Sequence, residues 1–533
     1  MIKRREFIAQ SIGLIGAATF GSVLTSCTPT RSISGVLSGP NQALGHRLRQ
    51  GNFSLPVETQ KQDVVIVGGG VAALAAARYL SKQGVRYSLL ELEQRVGGNA
   101  ASGNNAVSSY PLGAHYLTVP GKHDQDLLQF LEECKVIVGY EQQKPVFNDY
   151  YLCFDPKERL FIHNQWQEGL VPHQGVPAAD ADEIKRFHEL MDKYKNLVGA
   201  DGKEAFCIPL AACSNDPDIL KLDSISFGQF LKDHQLQSPY LLWYVGYCCA
   251  DDFGASIDNT SAWAGIHYFA SHKGVGANAE ADAVLTWPEG NDWLVKQLKT
   301  YAEESIIPNS LVYNITIANG SLQVDYLDAQ KNVTRRMLAR KVIVATPQFI
   351  NQRILAQDIN RPLDYSTFQY APWMVGALTV KGELNNRRGE QLSWDNVIYG
   401  SSSLGYVNAN HQDVAVHSDK RVISFYQPML GDNLQQERQI AYSRSYQQWY
   451  DHILKDLQHP HPDVEKQLES LDIWIWGHGM IRPSVGFISG PSRQEAIRSI
   501  NNKIFFAHSD LSGISIFEEA FFHGVRAAKE VLL

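Results

Sequence analysis

The segment from Asp63 to Asn99 constrains the fold of this chain more than any other stretch of its sequence. It begins with four β-branched residues, Val64 to Val67, which are typical of a buried strand in a parallel sheet. The motif Gly68-x-Gly70-x-x-Ala73 follows at once, and then come an alanine-rich helix and a second short strand, Tyr87 to Glu91. This order of strand, glycine turn, helix and strand predicts a dinucleotide-binding βαβ unit.

This segment has a residue of the required type at each position where such a unit needs one. Gly68 permits the tight turn from strand to helix, Gly70 lets backbone N–H groups approach a pyrophosphate, and Ala73 allows the helix to pack closely on the strand. The amino end of the helix attracts the phosphate charge. Glu91, at the end of the second strand, is placed to accept hydrogen bonds from ribose hydroxyls.

The residues after the second strand indicate which dinucleotide is bound. Glu91-x-x-x-Arg95-x-Gly97-Gly98 resembles an extension found in the FAD-binding amine oxidase superfamily, which includes phytoene-desaturase-like and protoporphyrinogen-oxidase-like enzymes. Taken by their chemistry alone, Arg95 and the glycine pair supply only a cation and a mobile backbone near a phosphate. The resemblance implies that the cofactor is FAD and that Glu91, Arg95, Gly97 and Gly98 help to hold it.

The end of the chain resembles the closing FAD motif of the same superfamily. A strand at Lys503 to Ala507 leads into a loop, and a helix from Ile516 to Leu533 follows. The resemblance implies that the loop residues Asp510 and Gly513 lie near the pyrophosphate and ribitol. It also implies that Ala520 and Gly524 are the small residues that let the helix approach the flavin.

These motifs predict an α/β protein with a Rossmann-like FAD-binding domain (GR2 type) and a discontinuous α+β substrate domain. We expect residues 61–120, 285–350 and 491–533 to form the FAD-binding domain, because the strand Lys341 to Pro347 resembles the one that returns the chain to the FAD sheet in this superfamily. Residues 121–284 and 351–490 are expected to form the substrate domain. Residues 28–60 lack periodicity and are rich in Thr, Ser, Gly, Pro and Gln, which is typical of a linker.

The first 27 residues have the features of an export signal. Lys3-Arg4-Arg5 precedes an apolar stretch and resembles the twin-arginine motif, and Leu24-Thr-Ser-Cys27 resembles a bacterial lipoprotein processing box. The resemblance implies passage through the twin-arginine export machinery and a lipid on Cys27 as the only attachment to a membrane. We therefore expect the protein at the cell surface or in the periplasm.

Composition excludes two classes of function. The net charge of −8 and the sequence pI near 6.1 offer no cationic excess for neutralising phosphates, so a nucleic-acid partner is not expected. Seven cysteines are present without a CxxC pair, which matches neither a disulfide framework nor a zinc pattern. No metal site is therefore predicted.

Three histidines are candidates for catalysis. His478 lies between two glycines after an apolar run and is easily presented to a cavity, which makes it the first candidate. His267 lies in an aromatic-rich stretch of the substrate domain, and His115 lies in a segment that resembles the one passing under the flavin in this superfamily. A structural, hydrogen-bonded role is the alternative for each of them.

The superfamily resemblance implies that a small organic substrate passes a hydride to flavin N5. An amine is the first expectation, although the lysine common after the returning strand in amine oxidases is missing from Gln348 to Arg353. No cysteine lies between Ser509 and Glu519, so the FAD is expected to be non-covalent. One alternative is a desaturase or isomerase of a lipophilic substrate, which would show an apolar tunnel without acids. The other is a non-catalytic FAD-bound envelope module.

Overall fold

The computed structural model describes residues 33–280, 283–318, 320–359, 361–384, 387–413 and 419–533. The predicted export signal and Cys27 lie outside these ranges. No helix within them combines the length and the apolar character needed to cross a membrane.

Strands and helices share the described chain, and they are numbered here in chain order. The strands are β1 (Leu37–Ser38), β2 (Glu58–Val67), β3 (Tyr87–Leu90), β4 (Ser102–Asn104), β5 (Ser109–Pro111), β6 (Tyr116–Thr118), β7 (Ile137–Glu141), β8 (Lys144–Phe147), β9 (Glu158–Ile162), β10 (Gln165–Glu168), β11 (Val284–Thr286), β12 (Ile306–Ile307), β13 (Ser310–Ala318), β14 (Ser321–Asp328), β15 (Val333–Val344), β16 (Tyr370–Lys381), β17 (Asp395–Ile398), β18 (Tyr406–Asn408), β19 (Lys420–Pro428), β20 (Leu468–Ile481) and β21 (Ile504–Phe506). The helices are α1 (Gln42–Gly45), α2 (Arg47–Gln50), α3 (Val71–Lys82), α4 (Gln125–Glu133), α5 (Ala178–Lys195), α6 (Pro217–Leu220), α7 (Phe227–Asp233), α8 (Pro239–Phe253), α9 (Ala262–Ala270), α10 (Asp292–Lys299), α11 (Gln348–Ile354), α12 (Leu434–Ser443), α13 (Tyr446–Leu457), α14 (Val464–Gln467), α15 (Pro491–Ile497) and α16 (Phe517–Leu532).

The glycine-rich turn belongs to a seven-stranded sheet in the order β12-β3-β2-β15-β14-β13, with β21 paired to β15. Strand β2 is parallel to both β3 and β15, and the carboxyl end of β15 is parallel to β21. The central residues Ile66 and Ile343 are fully buried, as continuous apolar runs predict for strands covered on both faces. The predicted Rossmann-like fold is confirmed.

A second sheet of eight strands has the order β1-β20-β16-β19-β18-β17-β9-β10. Strands β9 and β10 come from the first predicted segment of the substrate domain, and β16 to β20 come from the second. Strands β16 and β20 pair along most of their length, from Tyr370 opposite Ile481 to Val380 opposite Leu468. This sheet therefore unites the two segments, while the predicted domain boundaries themselves stay a prediction.

The described part of the predicted linker is folded, which corrects the expectation for residues 33–60. Strand β1 pairs in parallel with β20, with Leu37 opposite Ile473, and β2 already begins at Glu58. Asn41 caps helix α1 by accepting a hydrogen bond from the backbone N–H of Leu44 at 3.1 Å. Backbone pairing and capping need no apolar periodicity, so the composition gave no sign of them.

Two further elements differ from expectation. The sequence from Gln435 to Leu457 is typical of one long helix, but α12 and α13 meet at a break where Ser445 and Gln448 form a capping box. The glycines on either side of His478 favour a loop, but β20 continues through it to Ile481 because its backbone keeps pairing with β16. A side chain in a strand is held more firmly than one in a loop.

Helix α16 packs on α3 through small residues. Gly524 lies so close to α3 that a Cβ on it would be 2.1 Å from the Ala72 carbonyl oxygen and 2.9 Å from the Ala75 Cβ. Ala72 and Ala75 are at most 3% exposed. The glycine therefore sets how closely the last helix approaches the first helix of the βαβ unit.

We expect Gly524→Ala to lower the free energy of unfolding by about 1–3 kcal/mol, because the new methyl group overlaps the backbone of α3. Denaturant midpoints of the wild-type and variant proteins would measure the effect. The matched control is Gly246→Ala in α8, where a Cβ meets no atom within 4 Å. The control should be neutral or gain up to about 1 kcal/mol from helix propensity; equal losses in both variants would contradict the role of the α3–α16 contact.

Candidate functional site

The glycine-rich turn borders a cavity of about 280 Å³ at the carboxyl ends of β2, β3 and β15. Gly68 has a φ of +104°, and a Cβ there would lie 2.6 Å from the Ala345 carbonyl oxygen, so only glycine fits. Gly70 is the N-cap of α3 and forms a backbone bridge with Gly97. Gly98 follows with a φ of +55°. The free N–H groups of the helix end therefore face a space bounded by backbone, which suits a phosphate.

Glu91 lies on the wall of the same cavity, directly after β3. Its carboxylate accepts a hydrogen bond from the backbone N–H of Glu93 at 2.7 Å. Burial raises the pKa of Glu91 to about 7, and the backbone hydrogen bonds only partly offset this. Because Glu91 lines the cavity, its carboxylate is placed to accept hydrogen bonds from ribose hydroxyls of a bound dinucleotide.

The loop before α16 reaches the cavity at Asp510, which is 1% exposed. One carboxylate oxygen of Asp510 accepts hydrogen bonds from the backbone N–H of Gln348, at 2.9 Å, and from the Tyr370 hydroxyl. The backbone N–H of Asp510 donates to His508 Nδ1 at 3.1 Å. These bonds tie the C-terminal loop to the start of α11 and to β16, and so fix this side of the cavity.

Most of the predicted cofactor residues come together at this cavity. Those on its wall are Gly68, Gly70, Glu91, Gly97, Gly98, Asp510 and Ala520. Four others, Ala73, Arg95, Gly513 and Gly524, are not on the wall. The cofactor-binding role of each residue stays a prediction.

The four residues off the wall have other positions. Ala73 is fully buried inside the α3 packing, and Arg95 is exposed. Gly513 has a φ of +80°, and a Cβ there would approach the Phe487 ring to 2.7 Å, so it serves the loop conformation. Gly524 contacts α3, and its expected role in letting the helix approach a flavin stays a prediction.

A second cavity, of about 120 Å³, lies directly beside the first. The two share part of their walls, namely Asn99, Ala114, Gly479, Ser515, Ile516 and Phe517. A ligand in the second cavity therefore faces whatever occupies this end of the first.

Three carboxyl groups line the second cavity: Asp251, Asp252 and Glu518. Burial raises the pKa of Asp251 to about 7, and the nearby Glu158 acts in the same direction. Burial raises the pKa of Asp252 well above its ordinary value, with Asp251 and Glu518 contributing. Burial also raises the pKa of Glu518, although the Thr118 hydroxyl donates to its carboxylate at 2.6 Å. Crowded, buried acids of this kind are stabilised by a cation.

Aromatic rings form much of the remaining wall of the second cavity: His115, Tyr116, Trp373, Tyr426 and Trp476. The His115 ring stacks on the Tyr426 ring with centroids 4.7 Å apart. Its Nδ1 lies 3.2 Å from the Gly113 carbonyl oxygen, so Nδ1 carries the proton and Nε2 is free to accept. Burial lowers the pKa of His115 to about 4, which keeps the ring neutral at pH 7.

His478 and His267 lie in different surroundings. His478 is on the wall of the first cavity, where its ring stacks on the Phe349 ring at 4.1 Å and burial lowers its pKa to about 3. His267 lines none of these cavities. It is 2% exposed, packs on Trp263 and donates through Nε2 to the Cys207 carbonyl oxygen at 3.1 Å. The expected catalytic role of His267 is therefore corrected to a structural one.

The acidic character continues outward from the second cavity. A further cavity of about 520 Å³ shares His115, Tyr116, Thr118, Asp251, His272 and Tyr426 with it. This outer cavity adds the acids Glu158, Glu168 and Asp395, against one lysine, Lys195. Tyr247 donates to Asp395 at 3.3 Å. A cation would meet acidic side chains in both cavities, and its presence would favour their ionised form.

The sequence interpretation missed the acids of the second cavity. In the sequence, Asp251 and Asp252 are typical of residues that end a helix, and Glu518 is typical of the first turn of one. A signal was present, because two adjacent acids end an otherwise apolar, aromatic-rich helix. Acids in such a setting are seldom buried without a partner.

Comparisons with known proteins agree with this architecture. A family model described as "NAD(P)-binding Rossmann-like domain" matches residues 66–134. A flavin-containing amine oxidase from Oncorhynchus mykiss is 22% identical over 313 residues, which cover 55% of this chain and 51% of that protein. The chain thus spans about half the length of that curated relative.

Two solved structures show how widely the fold is used. Wild-type putrescine oxidase bound to putrescine has a TM-score of 0.64 at 16% identity, and the likeness covers 89% of this chain and 99% of that one. A CLA-producing fatty acid isomerase from P. acnes has a TM-score of 0.57 at 16% identity, with the same coverage of both chains. These likenesses establish the fold that the chain shares with flavin amine oxidase structures.

The acids of the second cavity predict a pH-dependent affinity for cations. The Asp251 carboxyl binds a proton below its pKa of about 7 and is charged above it. We therefore expect tetramethylammonium, whose charge does not titrate, to bind about tenfold more tightly at about pH 8 than at about pH 6. Calorimetric titration would measure the affinity. The neutral isostere tert-butanol and the Asp251→Asn variant should show no such rise, and a flat profile for the wild-type protein would contradict the assignment.

Proposed function

We propose that this protein is an FAD-dependent oxidoreductase that oxidises an organic amine. One observation carries the substrate class: the cavity beside the glycine-rich cradle holds three buried carboxyl groups among aromatic rings. The similarity of the chain to flavin-containing amine oxidases is a second, independent support for the proposal.

The first cavity fits FAD in its donors and its steric limits. The N–H groups of the α3 amino end suit the pyrophosphate, Glu91 suits the adenosine ribose, and the wall at Gly68 leaves no room for a side chain. No cysteine lies between Ser509 and Glu519, which supports non-covalent attachment. When bound, FAD supplies the acceptor for a hydride from the substrate.

The second cavity supplies binding and orientation for an ammonium group. Carboxylates in a site of low dielectric attract a cation strongly, and the faces of Tyr116, Tyr426 and Trp476 add cation–π attraction. An amine must lose its extra proton before it can give up a hydride. Asp251 is suited to take that proton near neutral pH because its pKa is about 7, whereas His115 is too weak a base.

The observed acids weigh against the alternative of a lipophilic substrate. The fold alone does not decide, since a fatty acid isomerase shares it. A desaturase or isomerase of this kind would expose an apolar tunnel without acids, but Asp251, Asp252 and Glu518 all face the second cavity. Charged groups in an apolar tunnel would cost several kcal/mol on binding a hydrocarbon.

The proposal is tested by an anaerobic absorbance titration of the holoprotein. Acid precipitation should release free FAD, and monoamines or diamines should bleach the flavin absorbance. Bleaching by unsaturated lipids alone would favour the isomerase or desaturase reading, and no bleaching by any of them would favour a non-catalytic module. A folded protein that takes up no FAD would contradict the whole proposal.

Variants of the acids test the amine site separately. We expect Asp251→Asn and Asp252→Asn to raise KM for the amine about ten- to one-hundredfold, because each removes a carboxyl group that a bound ammonium would hold in its ionised form. FAD content should stay unchanged, since neither residue lines the first cavity. Asp218→Asn, at an 83% exposed side chain, is the matched control and should leave KM unaltered.

We further propose that the enzyme is exported by the twin-arginine machinery and held to the membrane by a lipid on Cys27, on the basis of the sequence of residues 1–27. A cofactor bound before export suits a route that carries folded proteins. Cys27→Ser should move the protein from the membrane fraction to the soluble extracytoplasmic fraction, measured by cell fractionation and blotting. Equal membrane association of both proteins would contradict lipidation.

A further inference from the structure

We propose that Cys207 and Cys213 form a dithiol that hydrogen peroxide converts to an intrachain disulfide. The proposal goes beyond the proposed amine oxidation. It uses that reaction, with oxygen as the electron acceptor, only as one natural source of hydrogen peroxide. The two cysteines lie in the loop between α5 and α6, outside the two cavities assigned to cofactor and amine.

The two sulfur atoms already face each other. Cys207 Sγ lies 3.6 Å from Cys213 Sγ, the backbone N–H of Cys207 donates to Cys213 Sγ at 3.2 Å, and the Cys213 thiol donates to the Cys207 carbonyl oxygen at 3.2 Å. A disulfide needs an S–S distance of about 2.05 Å, so the sulfurs must approach by about 1.5 Å. Rotation of two short side chains supplies a movement of that size.

The other cysteines within the described residues are less suited to pairing. Cys248 and Cys249 are adjacent on α8, and neighbouring positions on a helix project in different directions. Within the described residues, no second sulfur atom lies in hydrogen-bonding contact with the sulfur of Cys134 or of Cys153. We therefore expect disulfide formation only between Cys207 and Cys213.

A cavity adjoins this pair. Cys207 lines a cavity of about 320 Å³ that shares Thr118, His272 and Glu518 with the proposed amine cavity. Peroxide is a small, neutral molecule, and the proposed amine oxidation would form it in the neighbouring cavity if oxygen is the electron acceptor. The dithiol therefore lies close to one natural source of the oxidant.

A metal ion is a weaker explanation for Cys207. Its sulfur lies within 4.8 Å of ligand atoms of His123 and Glu204. However, Glu204 is held by two ammonium groups, Lys122 at 2.7 Å and Lys273 at 3.1 Å. Two positive charges at this position repel a metal dication, whereas they do not oppose a neutral peroxide.

The reaction balances with peroxide as the oxidant. One thiol, reacting as its thiolate, attacks a peroxide oxygen; the O–O bond breaks, and a sulfenic acid and one water form once the released proton is taken up. The second thiol attacks the sulfenic sulfur, the S–S bond forms, and the S–O bond breaks to release a second water. Two electrons pass from the two sulfurs to the peroxide, so two thiols and one peroxide give one disulfide and two waters.

The disulfide would stabilise the loop that is hydrogen-bonded to helix α16. The loop between the cysteines presents the backbone N–H of Leu210 to Glu519 Oε1 at 2.6 Å, and Glu519 also accepts from the Ser512 hydroxyl. Ser512 belongs to the C-terminal loop, and Glu519 belongs to α16, which lines the first cavity. Closing the loop covalently would hold this hydrogen bond in place.

The test is thiol mapping of the full-length holoprotein. The protein is reduced, desalted, treated with a few equivalents of hydrogen peroxide and unfolded in iodoacetamide. Both cysteines fall in one tryptic peptide, Glu204–Lys221, which contains no other cysteine. We expect that peptide to carry no alkyl group and to be lighter by two hydrogens than the reduced peptide, with full alkylation restored by dithiothreitol.

Other mass patterns would overturn the proposal. Two alkylated thiols after peroxide, a sulfinic acid at Cys207, or a link to another cysteine would each do so. Cys213→Ser should leave Cys207 as a thiol or a trappable sulfenic acid, whereas the matched control Cys134→Ser should keep the disulfide. Because the peroxide is added, a protein without amine oxidase activity still gives a clear answer, so failure of this proposal is distinguishable from failure of the proposed function.

Discussion

The contact between the first helix of the βαβ unit and the last helix of the chain determines whether a functional site exists at all. Gly524 brings α16 to the backbone of α3, and Phe517 and Ala520 at the start of α16 then form part of the cavity wall. The loop before α16 carries Asp510, which is tied to Gln348 and Tyr370. Residues more than 400 positions apart thus make one cradle, and the second cavity borders it.

Whereas the contact between α3 and α16 stabilises the fold, the buried acids of the second cavity lower its stability. Buried carboxyl groups such as Asp251 and Asp252 favour the neutral form, because charge is poorly solvated there and neighbouring carboxylates repel one another. A cation bound among these carboxyl groups would favour their ionised form, which is the physical basis of the proposed amine site. Groups of strongly shifted pKa in a cleft are typical of functional sites.

Much of the cradle could be predicted from sequence because its rules are local. A tight turn at Gly68, a helix end at Gly70 and an acid after β3 follow from short-range geometry. The second cavity could not be predicted, since Asp251, Tyr426 and Glu518 lie far apart in the chain and meet only through tertiary packing. The same limit explains His267, whose aromatic neighbours suggested a pocket but belong to a packed core. The folded segment before β2 was missed because its backbone pairing leaves no apolar pattern.

Strand β15 also has a consequence for biosynthesis. Its carboxyl end pairs with β2 on one side and with β21 on the other, and β21 begins only at residue 504. A ribosome-bound chain that has emerged as far as β15 has neither its last parallel strand nor the α16 wall of the cradle. Long-range parallel pairing of this kind forms slowly. The wall of the first cavity can therefore be completed only after β21 and α16 have been synthesised.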